Sequence, residues 1–122
     1  MLLVEDDDAL RTLTRLMLED FGYGVVDAQG PREALELCTR LNLHMDALVT
    51  DVIMPGMRGP ELAQRLRAMR PELAVLFLTG YSDEAVEGPC LRKPFTEEQL
   101  AVKLGEVLER PLAQPRAGWS GV

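Results

Sequence analysis

Short apolar runs alternate along the chain with longer stretches in which apolar residues recur every three or four positions. Leu2-Leu3-Val4 is a strand-like run that ends in the acidic group Glu5-Asp6-Asp7-Asp8. After it, Leu10, Leu13, Met17 and Phe21 follow helical spacing, with Asp7 or Asp8 available as an N-cap and Gly22 and Gly24 as the stop. Val25-Val26 reads as a second strand, and Gly30-Pro31 opens a second helix whose expected buried stripe is Ala34, Leu35, Cys38 and Leu41. Ala47-Leu48-Val49-Thr50 is a third strand. A loop with Pro55, Gly56 and Gly59 leads from it to a helix that starts at Pro60, turns Leu62, Leu66 and Met69 inward, and closes at Arg70-Pro71. Ala74-Val75-Leu76-Phe77-Leu78 is continuous and apolar, as a fully buried strand requires, and a fifth strand lies around Leu91. Thr96 and Gln99 form a capping box for a last helix with Leu100, Leu104, Val107 and Leu108 on its apolar face, which Pro111 stops.

Strands that alternate with helices pair in parallel through right-handed crossovers, so the pattern predicts an open, doubly wound α/β domain. A length of 122 residues suits one domain. Residues 1–110 carry the pattern, and residues 111–122, with two prolines, two glycines and little periodicity, read as a linker or disordered tail.

Composition narrows the function. Thirteen basic and twenty acidic residues give a net charge of −7, which argues against a nucleic-acid or anionic-membrane surface. No apolar run approaches the roughly 20 residues of a membrane span, and no basic stretch leads into an apolar signal core, so a cytoplasmic location is expected. Cys38 and Cys90 lack the spacing of a metal knuckle and are expected as reduced thiols. Only Lys93 and Lys103 among the basic residues are lysines, which makes each a scarce choice.

Ligands of doubly wound sheets bind at the carboxyl ends of the strands. There the sequence places Glu5 and Asp6 after strand one, Asp51 after strand three, Thr79 after strand four and Lys93 after strand five. Three carboxylates brought together repel unless a cation sits among them, and partly hydrated oxygen ligands suit Mg2+. Asp51, held by a central strand, is a candidate nucleophile toward a phosphoryl group. Lys93 and the Thr79 hydroxyl would hold the phosphoryl oxygens.

These residues carry a resemblance. Leu3-Val4-Glu5-Asp6-Asp7, Asp51-Val52-Ile53-Met54-Pro55-Gly56-Met57, Thr79-Gly80-Tyr81 and Lys93-Pro94-Phe95 together resemble the motifs of response-regulator receiver domains of two-component signalling, over about residues 1–110. The resemblance implies a flavodoxin-like five-stranded parallel sheet of order 2-1-3-4-5 and phosphorylation of Asp51 by a histidine kinase or phosphotransfer protein. It also implies Mg2+ held by Glu5, Asp6, Asp51 and the Ile53 backbone carbonyl, a cis-prolyl bond after Lys93, and a possible homodimer. It implies no stand-alone enzyme, since such a domain catalyses only its own phosphotransfer and slow dephosphorylation.

The chain departs from that pattern in one region. Thirteen residues separate Thr79 from Lys93, too few for a loop, a full helix and a strand, so the fourth helix is expected to be shortened to a turn around Ser82-Asp83-Glu84-Ala85 or missing. The switch aromatic of such receivers, which works with Thr79, falls on Cys90, so an order-disorder change in residues 79–90 is expected in its place. A receiver-like interaction module that is never phosphorylated is the alternative reading. A phosphatase with an aspartate nucleophile is a third, disfavoured because Ile53 stands where its general acid would be.

Overall fold

A computed structural model of the protein describes residues 1–40, 45–80 and 86–109. In chain order the elements are β1 (Leu2–Val4), α1 (Asp8–Asp20), β2 (Val26–Ala28), α2 (Pro31–Arg40), β3 (Ala47–Asp51), α3 (Gly59–Met69), β4 (Ala74–Thr79), β5 (Cys90–Arg92) and α4 (Glu97–Leu108). All strand pairs are parallel, and the sheet order is β2-β1-β3-β4-β5. The sequence pattern predicts this α/β alternation, and the resemblance implies this strand order.

Side chains on a strand point alternately to the two faces, and both faces are covered here. Leu2, Val4, Leu48, Val75 and Phe77 pack with Ala34 and Cys38 of α2 and Leu62 and Leu66 of α3. Leu3, Val49, Leu76 and Leu78 pack with Leu18 of α1 and Leu100 and Leu104 of α4. β3, central in the sheet, is buried at every position, including its terminal Asp51. A carboxylate in that place needs an electrostatic reason to be there.

Local signals set most helix ends. Asp7 caps α1 by accepting from the Leu10 backbone N–H at 2.9 Å. Thr96 and Gln99 form the reciprocal capping box of α4. α4 ends earlier than Pro111 requires: Leu108 is its last residue, and Glu109 adopts a left-handed conformation with φ 54°.

One inward-facing assignment is corrected, and one residue of the helical spacing in α1 lies outward. Met69 is 47% exposed, because α3 meets the sheet through Leu62, Ala63 and Leu66, and its last residue has turned past that contact. Leu13 is 50% exposed, because α1 buries Thr14 and Leu18, a stripe rotated by about one residue from the apolar spacing. Among the described residues no helix lies between β4 and β5. The turn expected around Ser82–Ala85, Leu41 and the tail from residue 111 fall outside the described residues.

Candidate functional site

Parallel strands bring their carboxyl ends to one edge of the sheet, and Glu5, Asp51, Thr79 and Lys93 all lie there. Glu5 directly follows β1, Asp51 ends β3, Thr79 ends β4, and Lys93 follows β5. The Lys93 backbone N–H donates to the Thr79 carbonyl at 2.8 Å, which extends the β4–β5 ladder and fixes where the lysine departs. Lys93–Pro94 is a cis peptide bond, as the resemblance implies.

From there the Lys93 ammonium spans two strands. Nζ lies 2.6 Å from Asp51 Oδ1 and donates to Glu5 Oε1 at 3.0 Å. Glu5 Oε2 accepts from the Asp7 backbone N–H at 3.1 Å, so both Glu5 oxygens are engaged. The Asp51 carboxylate makes no hydrogen bond of good geometry among the described residues, and Lys93 is its counter-charge.

Burial and the neighbouring Glu5 push the Asp51 carboxyl up to about 8, against the opposing pull of Lys93. Burial also acts on Glu5, but the adjacent Asp51 carboxyl, the Asp7 backbone N–H and the Lys93 ammonium together outweigh it and hold Glu5 below the usual carboxylate range. Lys93, although partly desolvated, is raised by Asp51 and Glu5. One ammonium therefore serves two buried carboxyl groups, a charge imbalance that a further cation would offset.

Glu5, Asp6 and Asp51 each offer a carboxylate oxygen, and these oxygens lie within 4.8 Å of one another. Hard oxygen donors, one of them exposed to water, suit Mg2+, which keeps several waters of its own. The under-bonded Asp51 carboxylate fits the same ion. Ile53 follows in the loop after β3 with its side chain half exposed. Thr79 lies one residue past Leu78, the register partner of Asp51. Cys90 is exposed at the start of β5, paired with Phe77 and away from the carboxylates.

Two residues that the pattern did not single out for the site also touch it. Arg11 on α1 donates from Nη1 to the Glu5 carbonyl at 3.0 Å and from Nη2 to Asp8 Oδ1 at 2.7 Å. Its spacing of three from Asp8 on a helix was the available signal. Gly59, read in the sequence only as a loop glycine, donates its N–H to the Val52 carbonyl at 2.8 Å, and a Cβ there would run into the Asp51 carbonyl oxygen.

A doubly wound sheet with an acidic pocket and a lysine at its carboxyl edge defines a class of signalling domain, and the comparisons agree. Residues 1–104 match the response regulator receiver domain, and the chain belongs to that family. Among curated proteins it is 38% identical over 118 residues to the sensor kinase CckA of Brucella abortus (strain 2308), covering 90% of this chain and 12% of that protein. It is 37% identical over 128 residues to the response regulator MprA of Mycolicibacterium vanbaalenii, covering 98% of this chain and 54% of that protein. A receiver domain protein from Clostridium thermocellum superposes with a TM-score of 0.79 at 28% identity, covering 88% of this chain and 92% of that one. The receiver domain of the hybrid histidine kinase CckA gives 0.76 at 34% identity, covering 88% and 96%. The chain thus spans about half or less of these curated relatives. No helix among the described residues is long and apolar enough to cross a membrane.

Proposed function

We propose that this domain accepts a phosphoryl group on Asp51 from a histidine kinase, or from a histidine phosphotransfer protein, and changes conformation to pass the signal on. One observation carries the reading: a buried carboxylate at the end of the central strand, under-bonded, with a lysine ammonium 2.6 Å away. An aspartate used only for packing or a turn has its oxygens satisfied.

In the transfer, an oxygen of ionised Asp51 attacks phosphorus in line. The O–P bond forms as the N–P bond to the donor imidazole breaks, and the electron pair returns to the ring nitrogen. Glu5, Asp6, Asp51 and the Ile53 backbone carbonyl would hold Mg2+, which neutralises charge on the phosphoryl oxygens. Lys93 exchanges its carboxylate partner for a phosphoryl oxygen, a charge-assisted contact available only in the product. The Thr79 hydroxyl donates to another phosphoryl oxygen from β4. Thr79 carries the conformational response, since Cys90 has no ring to turn. Residues 1–110 act as the receiver unit and residues 111–122 as a linker or tail.

Beryllofluoride with Mg2+, a stable mimic of the acyl phosphate, tests the reading by amide NMR. Resonances around Asp51, Thr79 and Lys93 are expected to shift, and Asp51→Asn to abolish the change. An unresponsive wild-type chain would favour the interaction-module alternative.

A further inference from the structure

Asp6 differs from the other two acidic residues of the pocket. Glu5 and Asp51 are buried and tied to Lys93, whereas Asp6 is exposed and nothing among the described residues grips its carboxylate. Its position is therefore set by the backbone from which it hangs. The peptide group that joins Glu5 to Asp6 consists of the Glu5 carbonyl and the Asp6 N–H in one rigid plane. Arg11 Nη1 donates to that carbonyl at 3.0 Å.

The same guanidinium is anchored on two further sides. Nη2 donates to Asp8 Oδ1 at 2.7 Å, at the first turn of α1. Nε lies 3.5 Å from Asp27 Oδ2 on β2, the neighbour of β1. The Arg11 side chain is only 13% exposed despite its position on a surface helix. A planar fork with fixed donors ties a peptide plane to two carboxylates in a way that a lysine ammonium does not reproduce.

We propose that Arg11 is a positioning residue for the divalent-cation site, orienting the Glu5–Asp6 peptide so that the Asp6 carboxylate faces Asp51. The inference rests on the reading that Glu5, Asp6 and Asp51 bind Mg2+. Two effects of Arg11 oppose each other. Its positive charge repels a cation, while its hydrogen bond pre-forms the ligand set. Asp8 and Asp27 flank the guanidinium and offset part of its charge, and positioning is expected to dominate. Groups that orient metal ligands from behind typically contribute about 10–100-fold in affinity.

The test is the Mg2+ dissociation constant of the unphosphorylated full chain, measured by titration calorimetry for wild type, Arg11→Ala, Arg11→Lys and Arg15→Ala. Arg15 shares the partner Asp27, with Nη1 at 3.6 Å from Oδ1, and also pairs with Glu19, but makes no contact with Glu5 among the described residues. Both Arg11 variants are expected to bind Mg2+ about tenfold more weakly, at the lower end of that range, and Arg15→Ala to match wild type. Tighter binding by Arg11→Ala overturns the inference in favour of simple charge repulsion. Equal weakening in Arg15→Ala overturns it in favour of general anchoring of α1 to β2. Should Arg11→Ala fail to fold, Arg11→Lys decides, since wild-type affinity in that variant contradicts a role for the fork. A wild-type chain that takes up no Mg2+ overturns the metal site and this inference together, whereas tight wild-type binding indifferent to Arg11 overturns the inference alone.

Discussion

Lys93 Nζ stands 2.6 Å from Asp51 Oδ1, so a side chain leaving β5 supplies the counter-charge of a carboxylate buried at the end of β3. The strand between them, β4, contributes Thr79 at the same edge. In the proposed function a group attached to Asp51 would displace or recruit the Lys93 ammonium.

Removing the ammonium tests this relationship. Lys93→Ala leaves Glu5 and Asp51 facing each other, and denaturant unfolding at low Mg2+ should show a loss of roughly 1–3 kcal/mol, the cost of an uncompensated buried polar group. Saturating Mg2+ should recover most of it. The variant should still accept a phosphoryl group, yet its β4 and β5 amide resonances should no longer respond to beryllofluoride. A wild-type response from Lys93→Ala would show that the lysine does not couple the site to the sheet.

The metal-free protein should lose stability as pH rises. The Asp51 carboxyl is raised to about 8 from an unfolded value of 3.8, so between those limits the folded state binds more protons than the unfolded state. Unfolding free energy attributable to this group is therefore full below about pH 4 and is lost progressively as pH approaches and passes 8. Mg2+, which pairs with the ionised form, should flatten the slope, and its binding at pH 7 should release a proton, visible as a buffer-dependent heat in calorimetry. Binding heats independent of the buffer's ionisation enthalpy would contradict a protonated Asp51.

Much of this was legible in the sequence, for physical reasons. Strands of a doubly wound sheet are short and apolar, and four of the five here gave way to a polar residue, so Glu5, Asp51, Thr79 and Lys93 stood out as interruptions. The face of α1 was harder to read. Leu10, Leu13, Met17 and Phe21 have helical spacing, but the buried stripe runs through Thr14 and Leu18, and a threonine with a fully buried side chain does not look apolar. Arg11 escaped notice, although Asp8 three residues earlier offered a signal, because nothing in the sequence marks its bond to the Glu5 carbonyl, and Gly59 because its close approach is to the Asp51 carbonyl oxygen. Backbone acceptors carry no residue signature, so partners of the main chain are visible only once it is folded.

Gly59 should resist substitution. Gly59→Ala drives a Cβ into the Asp51 carbonyl oxygen, which also accepts from the Thr50 hydroxyl at 3.1 Å. Overpacking of this kind costs about 1–3 kcal/mol. Chemical denaturation should show that loss, together with weaker Mg2+ binding if Asp51 is a ligand as proposed, because its backbone is the one displaced. Unaltered Mg2+ affinity at reduced stability would confine Gly59 to packing.

The acyl phosphate should be long-lived. Ile53, half exposed two residues after Asp51, offers an aliphatic side chain where a polar one would orient an attacking water. Ile53→Asn should shorten the phosphate lifetime, followed by loss of the phosphorylated species on acid gels. Identical decay in the two proteins would remove Ile53 from control of water access.

The most direct measurement is intact mass after incubation with acetyl phosphate and Mg2+, for wild type and Asp51→Asn in parallel. Wild type should gain one phosphoryl group, should gain none when Mg2+ is chelated before the donor is added, and Asp51→Asn should gain none. A phosphoryl group carried equally by Asp51→Asn, or no uptake by folded wild type, would contradict the assignment of Asp51 as the phosphoacceptor.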